Sequence, residues 1–217
     1  MNPALIELII LAGIAVFLFL RLRSVLGTRE GFEKPRMQPK NDAPKRDFKV
    51  IDGGEDKDIT DNVEKNSKSA KALKTIKEKD ETFTVNEFLS GARSAYEWIL
   101  MSFEKNEIDD IRELLSEEVA EAFDSVVEQR ISQGLTIEAE FIGVREMKLV
   151  DASYNSKTNT AEIAVSFIGE MTSVVKNSSG EIVEGDSKQI KRQKDTWTFS
   201  KDTQSSDPNW LLVATGE

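Results

Sequence analysis

An apolar run at the N-terminus limits this chain more than anything that follows it. From Pro3 to Leu20 every residue except Glu7 is apolar or glycine, and Arg21 and Arg23 end the run. About 18 residues is near the lower limit for an α-helix crossing a hydrocarbon core of roughly 30 Å. The membrane anchor is therefore expected in residues 1–27. Leu5, Leu8, Ile9, Ile10, Leu11, Ile14, Val16, Phe17, Leu18, Phe19 and Leu20 would form its apolar body, and Arg21 and Arg23 its stop. A secretory signal peptide needs a basic start and a small-residue cleavage site, yet residues 1–4 carry no Lys or Arg and bulky Phe17, Phe19 and Leu22 occupy the end. A buried core helix is the third reading, and the long polar stretch behind the run argues against it. The nearby cations all follow the span, so the positive-inside rule predicts a single-pass protein of the inner (cytoplasmic) membrane, N-terminus out and C-terminal domain cytoplasmic.

The chain has neither Cys nor His. Disulfides, thiolate chemistry, Ser–His–Asp and Cys–His nucleophiles and His-bearing zinc sites are thereby excluded. No metal, no cofactor and no enzymatic activity are expected. The overall charge of −10 is uneven: residues 1–80 carry +3 and residues 81–217 carry −13. Cations near a membrane contribute about 1 kcal/mol each against anionic lipid, whereas the acidic remainder argues against nucleic acid as a partner.

Residues 28–81 read as a flexible charged linker. Pro35, Pro39 and Pro44 punctuate it, Gly53 and Gly54 break it, and apolar residues are sparse. Val63, Ala70, Ala72, Leu73 and Ile76 allow at most a marginal helix near its end. A folded domain is expected over residues 82–217. Thr84 with Glu87 makes a capping box, and Phe83 with Phe88 a hydrophobic staple. Phe88, Ala92, Ala95, Ile99 and Phe103 then form an apolar stripe at helical spacing, with Trp98 and Met101 widening or flanking it. A short helix fits residues 107–115. Ser116 can cap a third helix whose buried face would hold Val119, Ala122, Phe123, Val126, Val127 and Ile131, and Gly134 would stop it.

Beyond Gly134 the period becomes two. Leu135, Ile137, Ala139 and Phe141 alternate with polar residues, and the slip at Phe141–Ile142 predicts a bulge. Ala161, Ile163, Val165, Phe167, Gly169, Met171 and Val175 are expected on one face of the next strand. A turn at 177–180, a polar strand over 187–200 and a last strand over 210–214 complete the pattern. Helices followed by about four antiparallel strands give an α+β fold, with three helices packed on a curved sheet. Such a sheet forms a cone whose apolar mouth Phe88, Trp98, Phe103, Phe141, Phe167, Met171, Trp197 and Trp210 could line or fill. Lys188, Lys191, Arg192 and Lys194 read as charges protecting a sheet edge or, alternatively, as a site for lipid head groups.

In this arrangement the chain resembles the bacterial Tim-forty-four-like (Tim44-like) proteins, relatives of the matrix-side adaptor of the mitochondrial inner-membrane protein translocase. The resemblance is carried by the sequence from Leu22 to Arg29, by Gly31, Phe32 and Glu33, by Phe88, Ala92, Ala95 and Tyr96, and by the segments Asp195 to Ser200 and Asp207 to Leu212. It implies a cone similar to nuclear-transport-factor-two folds, contact with acidic lipids, and an adaptor role in protein translocation or membrane-complex assembly. Protein partners and membrane lipids are the expected partners, with no small-molecule ligand. A lipid-binding module is the alternative, working through the cone or the basic patch. The enzyme reading would need a buried carboxylate with a raised pKa beside an open pocket.

Overall fold

The computed structural model describes residues 56–216. The expected anchor and most of the expected linker lie outside these residues. No helix among the described residues is long and apolar enough to cross a membrane.

The helical elements come first: α1 (Lys57–Thr60), α2 (Lys68–Lys79), α3 (Val85–Glu104), a 3₁₀ segment (Ile108–Leu114) and α4 (Glu117–Ser132). Four strands follow: β1 (Thr136–Asn155), β2 (Thr160–Lys176), β3 (Ile182–Asp202) and β4 (Leu211–Gly216). They pair as an antiparallel meander in the order β1–β2–β3–β4. The fold is α+β, with helices packed against the four-stranded sheet.

Local chemistry sets the helix ends. Thr84 Oγ1 accepts from Glu87 N–H at 3.2 Å and donates to the Glu87 carboxylate at 2.9 Å, which couples cap and first turn. Ser116 caps α4 through Val119 N–H. Past α4, Gly134 takes φ +65°, which costs glycine no Cβ clash. Gly134 and Leu135 then donate to the carbonyls of Ile131 and Arg130 at 2.9 and 3.0 Å, a Schellman ending.

The ordered core begins well before residue 82. Ile59, Leu73 and Ile76 are buried in the same core cluster as the rest of the domain. The marginal helix is the full-length α2, and α2 packs on β1, where Ser69 donates to Asp151 at 3.0 Å. Asp58 of α1 accepts from Val85 and Asn86 N–H at 2.8 and 3.0 Å, so it caps α3 from a distance. Lys77 of α2 holds Asp58 and Asp56 at 2.9 and 2.7 Å. The linker reading failed over 56–81 because so few apolar residues there are all placed inward.

Other expectations shift by smaller amounts. The short second helix is 3₁₀. On α4, Val119, Ala120 and Val127 are buried, whereas Val126 and Ile131 are exposed. The strand bulge falls at Phe141/Gly143 as expected and leaves Ile142 outside. A second irregularity at Met171/Ser173 reverses the alternation of β2, so Val174 rather than Val175 turns inward. There β3 gains extra residues, and Gly185 sits at φ +83° against the Ser173 carbonyl where a Cβ would collide. β3 begins earlier than expected, at Ile182, and its first half is exposed throughout.

Candidate functional site

The sheet's inner face and α3 enclose a packed interior, and an open groove of about 400 Å³ lies beside the N-terminal half of α3. Tyr96 fills the interior. Its ring stacks on Phe167 at 4.4 Å and lies 4.7 Å from Trp197, with Phe141 edge-on at 6.2 Å. Its hydroxyl donates to Asp195 Oδ2 at 2.5 Å, and Gln193 Nε2 donates to the other Asp195 oxygen at 2.9 Å. Burial, then the Asp195 hydrogen bond and charge, push the Tyr96 phenol well above its ordinary range, so it stays protonated and donates.

The aromatic residues expected at the cone's mouth therefore separate into groups. Phe141, Phe167, Met171 and Trp197 pack in or against the core. Phe103 packs on Phe123 at 4.5 Å, with the Arg130 guanidinium 4.3 Å above its ring. Trp98 is 53% exposed and joins neither set. Phe88 and Trp210 do line the groove, 4.8 Å apart. Phe83 and Phe199 complete its aromatic wall: Phe83 lies 5.7 Å from Trp210, and Phe199 stands edge-on to Phe88 at 5.9 Å. Phe83 was legible as a staple residue and Phe199 as a strand residue, but no local signal marked either as lining.

The groove is built from five places in the chain, among them the segment before α3 with Asp80, Thr82, Phe83 and Thr84, and Leu114 of the 3₁₀ segment. The N-terminal half of α3 offers Phe88, Gly91, Ala92 and Ala95, and the end of β3 offers Phe199 and Lys201. The loop before β4 closes the far side with Pro208, Asn209 and Trp210. A Cβ placed on Gly91 would meet nothing within 4 Å, so the groove is open above that turn. At its polar end Lys201 Nζ donates to Asp80 Oδ2 at 2.8 Å, and Thr82 donates to Asp80 Oδ1 through its hydroxyl at 2.6 Å and its N–H at 3.1 Å. Burial alone would raise the Asp80 carboxyl, but these donors and the Lys201 charge outweigh it and hold it below its ordinary value.

A partly buried carboxylate with a raised pKa does occur. It is Glu104, pushed up by burial against the pull of Arg130 at 3.7 Å. It sits at the C-terminal end of α3 and does not line the groove, which lies along the N-terminal half of that helix. No cluster of three or more Asp or Glu able to hold a metal occurs among the described residues.

The Tim44-like domain family matches residues 69–217, which runs from the first turn of α2 to the C-terminus. The chain belongs to the Tim44-like family. The match starts inside α2, in agreement with the early start of the core. No curated protein matches the chain. Among solved structures it is similar to the intermembrane space region of the chloroplast protein ARC6, at 8% identity and a TM-score of 0.36, covering 66% of this chain and 94% of that one.

Proposed function

We propose that this Tim44-like chain is a membrane-anchored, non-catalytic adaptor that docks a segment of a partner protein in the groove beside α3. Family membership supports a membrane-associated adaptor in general. The observation that carries the finer reading is the groove itself: an open, aromatic-walled slot whose carboxylates already serve structural bonds. Asp80 is committed to Lys201 and Thr82, and Glu87 to the Thr84 cap. In this reading residues 1–27 tether the domain to the inner membrane with the domain on the cytoplasmic side. The sheet and helices form a nuclear-transport-factor-two-like cone, plugged by Tyr96, with the groove at its mouth. Partners in protein translocation or membrane-complex assembly follow from the resemblance.

The test compares the full chain with Gly91→Trp, which fills the groove from a position with free space around it. Each is crosslinked in membranes of the source cell and captured. Proteins recovered with the wild type and lost with Gly91→Trp are expected; identical recovery from both would reject groove docking.

A second reading, lipid contact, has one observation of its own. Ile182, Val183 and Ile190 are more than half exposed on the outer half of β3, beside Lys188, Lys191, Arg192 and Lys194. β4 pairs only with Thr196 to Ser200, which leaves that half as a free edge. Flotation of residues 56–217 with phosphatidylglycerol vesicles, abolished by replacing the four cations with Gln, is the expected result. Absence of flotation rejects this reading.

A further inference from the structure

The geometry points to Lys201 as the residue that decides what the groove accepts. The ligand is a short polypeptide segment that buries one large apolar side chain against Phe83, Phe88 and Trp210 and sets a main-chain carbonyl oxygen on the Lys201 ammonium. This assignment rests on the proposed docking of a partner segment in the groove and specifies the chemistry of that segment.

Lys201 is unusual for a lysine. Its side chain is only 9% exposed, yet it lines the groove. An ammonium has three N–H donors. One is taken by Asp80 Oδ2 at 2.8 Å, and no second acceptor lies within hydrogen-bonding distance among the described residues. Two donors of a shielded cation are thus left to whatever fills the groove. A hydrogen bond to a charged group is stronger than one between neutral groups, and this one would form in a pocket screened by aromatic walls.

The sign of the surroundings selects the acceptor. Asp80 already balances the Lys201 charge, and Glu87 is a second carboxylate on the lining. A phosphate or carboxylate entering here would face two carboxylates and a single, already paired cation. A neutral carbonyl meets no such repulsion and can use the free donors. Polypeptide supplies that carbonyl beside an apolar side chain, and the open space above Gly91 leaves room for a main chain to pass. A charged lipid head group lacks this match.

The experiment uses the full chain in lipid nanodiscs, panned against a random twelve-residue peptide library. Affinities of an enriched peptide are measured for the wild type, for Gly91→Trp, and for Lys201→Met combined with Asp80→Asn so that no carboxylate is stranded. Thermal melts confirm that each variant folds. Gly91→Trp is expected to abolish binding, and the paired variant to weaken it about tenfold or more. On the wild type, one amide-to-ester change in the peptide, which weakens a single carbonyl acceptor, should cost several-fold. The paired variant should be indifferent to that change. Equal affinity of wild type and paired variant, with Gly91→Trp still inactive, overturns the role of Lys201 while leaving groove docking intact. Undiminished binding to Gly91→Trp, or no enriched peptide at all, overturns both. Displacement of the peptide by cis-parinaric acid, bound by the wild type and not by Gly91→Trp, would assign the groove to an acyl chain and also overturn the proposal.

Discussion

A methyl group on Gly169 would lie 2.7 Å from the Tyr96 hydroxyl oxygen. The absence of a side chain at this point of β2 is what lets a fully buried tyrosine on α3 reach across the sheet to Asp195 on β3. One space thus joins helix and two strands through a single polar contact, inside stacking aromatics that exclude water.

Gly169→Ala is expected to destabilise the domain by about 1–3 kcal/mol, because the contact is with a ring held by Phe167 and Trp197 rather than with a movable chain end. Tyr96→Phe should cost about 1–3 kcal/mol by leaving Asp195 without one donor. The double variant should cost less than the sum, since removing the hydroxyl relieves the clash. Urea denaturation of residues 56–217 measures all three; strict additivity would contradict the shared contact.

Asp58→Ala should cost about 1–2 kcal/mol at neutral pH, the usual loss for a helix cap, although Asp58 is remote in sequence from α3. Burial alone would raise the Asp58 carboxyl. The Lys77 hydrogen bond and charge and the N–H groups of Val85 and Asn86 outweigh it and bring it below 3.8. A depressed folded pKa means that the stabilisation is fully present above 3.8 and is lost as pH falls through the lower folded value. The gap between wild type and Asp58→Ala, followed by denaturation across pH, should therefore be constant near neutrality and narrow only below about pH 4. A gap that closed between pH 8 and 6 would point to another group.

What was legible in the sequence was local. The Thr84–Glu87 box, the Ser116 cap and the Gly134 ending depend on residues within a turn of one another, and the bulge at Phe141 depends on a slip between neighbours. What escaped depends on partners far along the chain. Helical spacing from Ala92 and Ile99 puts Tyr96 on the buried face of α3 and Trp98 off it, but the bond Tyr96 makes and the room for its ring come from the distant Asp195 and Gly169. Val174 replaces Val175 because β3 carries extra residues opposite Met171. The groove draws its aromatic wall from four segments, so Phe83 and Phe199 could be read as staple and strand but not as lining. Leu73 and Ile76 sit among charged residues whose average composition resembles a linker, and their burial is decided by β1.

A fragment starting at residue 82 should be markedly less stable than one starting at 56. Leu73 and Ile76 are fully buried, and burial of each such side chain is worth about 1.5–3 kcal/mol. The shorter fragment also loses the Asp58 cap on α3 and the Lys201–Asp80 pair. Its urea midpoint should fall, or its transition lose cooperativity, relative to residues 56–217. Equal midpoints would mean that α1 and α2 dock without contributing to the core.

Of the three tryptophans, Trp98 should account for most of the fluorescence quenched by acrylamide, a neutral probe that the domain's negative charge does not repel. Trp98 is 53% exposed and Trp197 is 4% exposed, so the two should differ several-fold in accessibility. Trp98→Lys should change stability by no more than about 0.5 kcal/mol, as expected for an exposed site without committed partners. Trp197→Ala should cost about 3–5 kcal/mol, because it opens a cavity beside Tyr96 and Phe167. If Trp98→Lys instead destabilised the domain strongly, the Trp98 side chain would have to be packed against another element rather than exposed.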